Sequence, residues 1–335
     1  MSAQPTPHHA APRLLVSYQD TTPEAALARP DTLAVIAFGT QADDGIDDPR
    51  LLRVRLEPLG AAPLEVWTGR APVTHGRDGD IAWSQDGALL FGAIELDEPD
   101  AHDGIASVAE TVYQRLTAFV VARGYPHLLR VWNYFDDITQ GEGDDERYRR
   151  FCVGRARALT DVDPTTLPAA TAIGRATDAP RRLQVYWLAA REPGTPLENP
   201  RQVSAYRYPR RYGPQSPGFA RAMLPMKGAD MPLMLSGTAA IVGHESQHHD
   251  DIEAQLDEVL ANLDSLVARA RDLRQDVPAS FGAHSPLKVY VRDREDMARV
   301  AELLSQRLPP QVPRIVLHAA VCRRELRVEI DGVHA

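Results

Sequence analysis

Two stretches of this chain read alike, and that likeness constrains the fold more than any other feature. Residues 87–138 are GALLFGAIELDEPDAHDGIASVAETVYQRLTAFVVARGYPHLLRVWNYFDDI. Residues 231–270 are MPLMLSGTAAIVGHESQHHDDIEAQLDEVLANLDSLVARA, resumed after an insertion by SPLKVYVRDREDM at 285–297. Each opens on a short apolar strand carrying a glycine, Gly92 in one and Gly237 in the other. A polar loop follows, then a helix with apolar residues at helical spacing: Ile105, Val108, Val112, Leu116, Phe119, and Ile252, Leu256, Leu260, Leu263, Val267. Each closes on an alternating strand, Leu129 to Phe135 and Leu287 to Val291. Repetition of this kind means one supersecondary design used twice. It predicts an α+β chain of two related domains, each a mixed sheet packed against long helices.

A chain of 335 residues has room for two such domains. The Pro- and Ala-rich DVDPTTLPAATAIGRATDAPRR (161–182) is the natural place to divide them. We expect a disordered tail at 1–12, an N-terminal domain at 13–165, a linker with an Arg/Tyr-rich substrate loop at 166–224, and a catalytic domain at 225–335. A net charge of −9 gives no electrostatic footprint for nucleic acid. Two cysteines 170 positions apart make no disulfide framework, which fits a reducing compartment. The N-terminal MSAQPTPHHAAPR has no apolar core of a signal peptide, and no run is long enough to span a membrane. The cytoplasm is the expected location.

Four constellations carry polar chemistry. GHESQHHDD (243–251) has three histidines, but His248 and His249 are adjacent and diverge, so we read a solvated loop whose acids cap the next helix. RYRRFCVGRARAL (147–159) places Tyr148 and Arg155 seven residues apart, on one face of a helix. Arg155 lies among small residues and reads as an enclosed cation, whereas Arg149 and Arg150 read as solvated. NPRQVSAYRYPRRYGPQSPGFARAMLP (199–225) interleaves Arg207, Arg210, Arg211 and Arg221 with tyrosines and prolines. Planar guanidinium forks and flat phenol faces suit a small anionic ring. In PRIVLHAAVCRRELRVEIDGV, RREL reads as a hairpin tip that sets Cys322 opposite Glu329. A buried small hydrophobe remains open for Cys322. Glu329 among apolar neighbours would have a raised pKa and could serve as a general acid.

LMLSGTAAI, IEAQLDEVLANLDSLV, KVYVRD and the C-terminal segment together resemble the RidA/YjgF-like superfamily. In that pattern Arg314 holds the anchor-arginine position and Glu329 the acidic one. RYRRFCVGRARAL, SAYRYPRRYGPQSPGFARAM, LSGTAAIVGHES and AAVCRRELRVEIDG resemble the chorismatase family, whose members add a related N-terminal domain to the RidA-like fold. The resemblance implies a lyase that takes chorismate and releases pyruvate. It implies Glu329 and Cys322 as catalytic residues. It implies Tyr148, Arg155, Arg207, Tyr212, Arg221, Gly237 and Arg314 as substrate-binding residues. It implies no metal and no cofactor, and no nucleic-acid or membrane partner. The chain would be a monomer or a homotrimer. Cysteine at 322 and glycine at 237 resemble the members that form 3-hydroxybenzoate, or 3- and 4-hydroxybenzoate together. The alternatives are a hydrolase giving a dihydroxycyclohexadiene carboxylate, a lyase giving 4-hydroxybenzoate alone, and a RidA-like protein that binds small carboxylates or hydrolyses imines.

Overall fold

The computed structural model describes residues 13–39, 45–100, 103–175 and 180–335. The tail expected at 1–12 lies outside them. The fold is α+β, as predicted, with mixed sheets backed by helices.

The repetition runs deeper than the sequence reading. The first sheet comes from β1 (Leu14–Gln19), a short α1 (Pro23–Leu27), β2 (Thr32–Phe38), β3 (Leu51–Val54) and β5 (Leu64–Gly69); β4 (Glu57–Pro58) leaves to join the third sheet. The second uses β6 (Thr74–Asp78), β7 (Ile81–Gln85), β8 (Leu89–Asp97), α2 (Gly104–Ala122), β9 (His127–Asp136), α3 (Arg147–Ala158), β10 (Ala169–Arg175) and β11 (Arg182–Ala190). The third uses β12 (Thr195–Leu197), β13 (Ala222–Leu224) and β14 (Leu233–Ala239). A small hairpin, β15 (Ile241–Val242) and β16 (Glu245–Ser246), leads to α4 (Ile252–Leu273), β17 (Leu287–Val291), α5 (Met297–Arg307), β18 (Arg314–His318) and β19 (Val328–His334).

The strand orders are β3-β2-β5-β1, β10-β9-β11-β8-β7-β6 and β18-β17-β19-β14-β13-β12, the last extended by β4 antiparallel on the outer side of β18. In each the first two strands are parallel and the next two pairings antiparallel. The chain therefore holds three copies of one sheet topology, not two. The strand order also moves the expected boundary. Residues 166–190 are not linker: β10 and β11 lie within the second sheet, on either side of β9. The predicted Cys322–Glu329 hairpin is absent too. β17 lies between β18 and β19, parallel to one and antiparallel to the other, so 319–327 crosses the end of β17 rather than turning back beside β18.

Packing follows from the apolar faces. Leu256, Leu263 and Val267 of α4 bury against the outer face of the third sheet, which Val289, Val328 and Ile330 help to form. Asp251 caps α4 by accepting from the Ala254 amide at 3.0 Å. Ile105, Val112 and Leu116 of α2 do the same for the second sheet. α3 lies against α2 because residue 154 is glycine: a Cβ there would sit 1.9 Å from the Ala106 carbonyl oxygen.

The inner faces of the three sheets meet in one core that includes Val16, Ile36, Trp67, Trp132, Tyr134, Tyr186, Tyr290 and Val333. Charges are buried at its centre. Lys288 Nζ lies 2.9 Å from Glu65 Oε2 and 3.6 Å from Asp331 Oδ1, and Arg130 Nη2 is 3.1 Å from Asp331 Oδ2. Trp67 donates to Glu65 at 2.8 Å, and Trp132 and Tyr290 each donate to Asp331 at 3.0 Å. A buried ion pair contributes modestly while intact, but removing one partner strands the other at a cost of about 3–5 kcal/mol. Lys288→Met should therefore cost about that much in urea unfolding, and the double variant Glu65→Gln/Lys288→Met should recover most of it. Equal loss in both variants would mean that packing around Lys288, not its charge, matters.

Candidate active site

A cavity of about 280 Å³ opens at the seam between the second and third sheets, at the small end of the range for ligand sites. Four segments build it. α3 supplies Tyr148, Arg149, Cys152 and Arg155; β10 supplies Ala170 to Ala172. The Arg/Tyr loop supplies Tyr208, Arg211, Tyr212, Phe219 and Arg221. The third sheet and the segment before β19 supply Gly237, Ala239, Cys322, Arg323 and Glu329.

The seam is closed by hydrogen bonds between the two sheets. Ala170 N donates to Ser236 Oγ at 2.9 Å, and Gly237 N donates to Thr171 Oγ1 at 3.0 Å. Gly174 and Ala320 exchange backbone bonds of 2.8 and 2.9 Å, which ties the chain just before Cys322 to β10. Arg292, at the end of β17, donates to the carbonyls of Val321, Arg323 and Leu326 and fixes the crossing segment. Cys322 and Glu329 thus share the cavity although they are not cross-strand partners; Glu329 is opposite Tyr290 and Ala239.

Glu329 is 5% exposed and has no hydrogen-bond partner among the described residues. Burial, reinforced by the nearby Asp331 carboxylate, raises its pKa from 4.5 to about 8 against the opposing pull of Arg130, Arg221 and Arg292. Between these values the sign is plain: the buried carboxyl keeps a proton at neutral pH that a solvated glutamate would release. Burial also pushes the thiols of Cys152 and Cys322 up to about 12, so both stay protonated. A thiol in that state is a weak donor and a small apolar surface, not a base. Gly237 is required by Glu329: a Cβ built on it would lie 1.9 Å from Glu329 Oε1.

Two cations face the cavity with spare donors. Arg155 is 5% exposed, sits 4.9 Å over the Tyr113 ring, and has Nε and Nη2 buried without a hydrogen-bond partner among the described residues. Arg221 is 4% exposed; Nη2 donates to Tyr208 Oη at 2.7 Å and to the Val203 carbonyl at 3.0 Å, and Nε is unpartnered. Both would accept an anion without further desolvation. The roof is aromatic: Arg323 lies 4.1 Å over Tyr212, whose ring is 5.4 Å from Tyr208. Exposed ion pairs hold the roof to its neighbours, Arg210 with Asp144 at 2.5 Å and Arg211 with Glu245 at 2.8 Å.

Of the residues predicted from sequence, Tyr148, Arg155, Tyr212, Arg221, Gly237, Cys322 and Glu329 line this cavity. Two do not. Arg207 is solvent-exposed and stacks over Tyr206 at 5.6 Å, because the short helical turn at 205–207 directs Tyr208 inward instead. Arg314 begins β18, on the far side of β17 from β19, and donates to Ser305 Oγ at 2.8 Å. Arg149, read as solvated, lines the cavity rim, while Arg150 pairs with Asp103. The sequence reading also missed Cys152, Thr171 and Arg323. Cys152 is four residues from Tyr148 on the same helix and was legible by that spacing; Thr171 lay in the supposed linker and Arg323 in the supposed turn. The histidine loop is occupied by ordinary contacts: His244 Nδ1 meets Tyr212 Oη at 3.2 Å and His248 Nε2 meets Glu258 at 3.4 Å. No helix among the described residues is long and apolar enough to cross a membrane.

Comparison with known proteins agrees with the fold. Residues 65–189 match the family model described as chorismatase FkbO/Hyg5-like, N-terminal. A chorismatase of Streptomyces rapamycinicus is 37% identical over 279 residues, covering 81% of this chain and 82% of that protein. A 3-hydroxybenzoate synthase of Streptomyces hygroscopicus is 36% identical over 296 residues, covering 85% of each. A chorismatase crystal structure covers 97% of this chain and 99% of its own, with a TM-score of 0.83 at 33% identity. With more than a third of its residues shared over four-fifths of its length, this chain belongs to the chorismatase family.

Proposed function

We propose that the chain converts chorismate to a hydroxybenzoate, 3-hydroxybenzoate foremost and 4-hydroxybenzoate as a second product, with release of pyruvate. The observation that carries this reading is that one cavity is lined by a buried carboxyl of raised pKa and by two buried arginines with unpartnered nitrogens. Chorismate has two carboxylates, one on the ring and one on the enolpyruvyl group. Arg155 and Arg221 each take one, and the tyrosine roof covers the ring. The protein as a whole is acidic, but the arginines at the cavity mouth make the entrance attractive to a dianion.

The chemistry is redox-neutral and needs two protons moved, one from the C4 hydroxyl to the enolpyruvyl methylene and one from the ring to the phenol oxygen. Glu329 gives its proton to the methylene carbon of the leaving enolpyruvate, which departs as pyruvate when its bond to ring C3 breaks. The C4 hydroxyl oxygen bonds to C3, closing an epoxide, and returns its proton to the Glu329 carboxylate. The epoxide opens at C4 or C3, the ring loses a C–H proton as it aromatises, and the oxygen gains one. Opening at C4 leaves 3-hydroxybenzoate, and opening at C3 leaves 4-hydroxybenzoate. Cys322 fills the space beside the ring and keeps water from that step.

Three outcomes follow. Arg155→Ala and Arg221→Ala should each lower kcat/KM for chorismate more than tenfold, the scale expected when a bound carboxylate loses a charged partner, about 2–5 kcal/mol. Wild-type kinetics would remove that residue from the site. Glu329→Gln should retain less than about a tenth of pyruvate release, in line with a general acid's typical contribution of roughly 10²–10⁴-fold. Wild-type kcat should fall as pH rises through about 8, where the carboxyl loses its proton. A flat profile to pH 9.5 or an active Gln variant would place the acid elsewhere. Cys322→Ala should keep pyruvate release while the chromatographic profile shifts toward a diene diol or one hydroxybenzoate isomer. An unchanged product ratio would leave Cys322 as packing alone.

A further inference from the structure

The strand beside the acid carries a backbone donor that is committed elsewhere. Gly237 lies against Glu329 so closely that a Cβ would overlap the carboxyl oxygen. The backbone of Gly237 is thus packed against the acid, and a hydrogen bond from a backbone N–H to a buried carboxylate lowers the acid's pKa. The Gly237 N–H points instead to Thr171 Oγ1, 3.0 Å away on β10 of the other sheet. Thr171 is 2% exposed, and its hydroxyl is fully used. It accepts from Gly237 and from Arg130 Nη2 and donates to Asp331 Oδ2 at 2.7 Å. A hydroxyl has one donor and two acceptor positions, so nothing is left for Glu329.

Resting on Glu329 as the acid, we propose that Thr171 is a positioning residue: its hydroxyl captures the Gly237 N–H and so keeps the Glu329 carboxyl without a donor. The hydroxyl is itself held by Arg130 and Asp331, so the central ion cluster sets where it points. Lys288 and Glu65 complete that cluster, one step further from the acid. Arg130 and Asp331 also act on Glu329 and are bound by the Thr171 hydroxyl, but their own ion pair holds them in its absence; the remaining groups facing Glu329 are fixed independently of Thr171. Arg221 comes from the Arg/Tyr loop, Arg292 from the end of β17, Tyr148 and Arg155 from α3, and Cys322 from the crossing segment. Replacing the hydroxyl alone leaves these charges in place and frees one N–H beside the acid.

The test is Thr171→Val, which keeps the shape of the side chain, against Thr171→Ser, which keeps the hydroxyl. With ¹³C-carboxyl-labelled glutamate, the Glu329 signal, assigned by its loss in Glu329→Gln, should titrate about one pH unit lower in Thr171→Val than in wild type. In Thr171→Ser it should titrate as in wild type. The fall of kcat at high pH should move by the same amount in Thr171→Val, with KM for chorismate within about twofold, because no group that touches the substrate carboxylates has changed. Thr171→Ala removes the same hydroxyl and should shift the signal in the same direction if the valine variant folds poorly. An unmoved titration in both Val and Ala variants, or an equal shift in Thr171→Ser, would overturn the proposal. An active Glu329→Gln would instead sink the acid assignment, and the carboxyl titration would still decide the role of Thr171.

Discussion

The buried charges at the junction of the three sheets hold the rest of the structure in place. Glu65 comes from the first sheet, Arg130 from the second, and Lys288 and Asp331 from the third. Each sheet presents an aromatic inner face, and stacked apolar faces alone could slide or rotate against one another. An ion cluster cannot: every misplacement strands a charge in a medium where stranding is costly. Burial and the neighbouring carboxylates raise the pKa values of Tyr18, Tyr134, Tyr186 and Tyr290, so the phenols around the cluster stay neutral donors and acceptors. Three copies of one topology thereby become one molecule with a fixed seam.

The active site inherits its chemistry from that arrangement. Asp331 and Glu329 are two residues apart on β19, so both side chains lie on the inner face of the same strand. One accepts four hydrogen bonds at Oδ2 from two sheets; the other, one pleat away, faces the cavity with no side-chain hydrogen bond among the described residues. A single strand thus carries an ion-paired acid that ties the sheets together and, facing the cavity, an acid whose pKa is raised to about 8, which we propose as the proton donor. Arg155 and Arg221 approach from different sides, one on a helix clamped against α2 by Gly154 and one on the loop that roofs the cavity.

The sequence showed the parts of this that depend on local pattern. The helices α2 and α4 were legible because their apolar residues recur at helical spacing, and Tyr148 with Arg155 because seven residues is two turns. Glu329 and Arg221 stood out as charges inside apolar or aromatic stretches. The first sheet was hidden because its helix is only Pro23–Leu27 and no helix among the described residues separates β2 from β3, so the signal that revealed the other two is missing. The hairpin reading failed because a strand from earlier in the chain, β17, inserts between β18 and β19, and spacing along 314–334 cannot register it. Thr171 gave no signal at all: it is one hydroxyl in PAATAIG, and its partners lie 41, 66 and 160 residues away. Arg314 followed the RidA-like pattern into a strand that this fold turns away from the cavity.

The proposed chemistry depends on a carboxyl that keeps its proton in neutral solution because of where the sheets place it. Infrared difference spectra between the wild-type protein and Glu329→Gln, recorded across a pH titration without substrate, read that proton directly. A protonated carboxyl band that belongs to Glu329 and persists until about pH 8 is the predicted result. A band already replaced by carboxylate near the ordinary glutamate pKa of about 4.3 would contradict it.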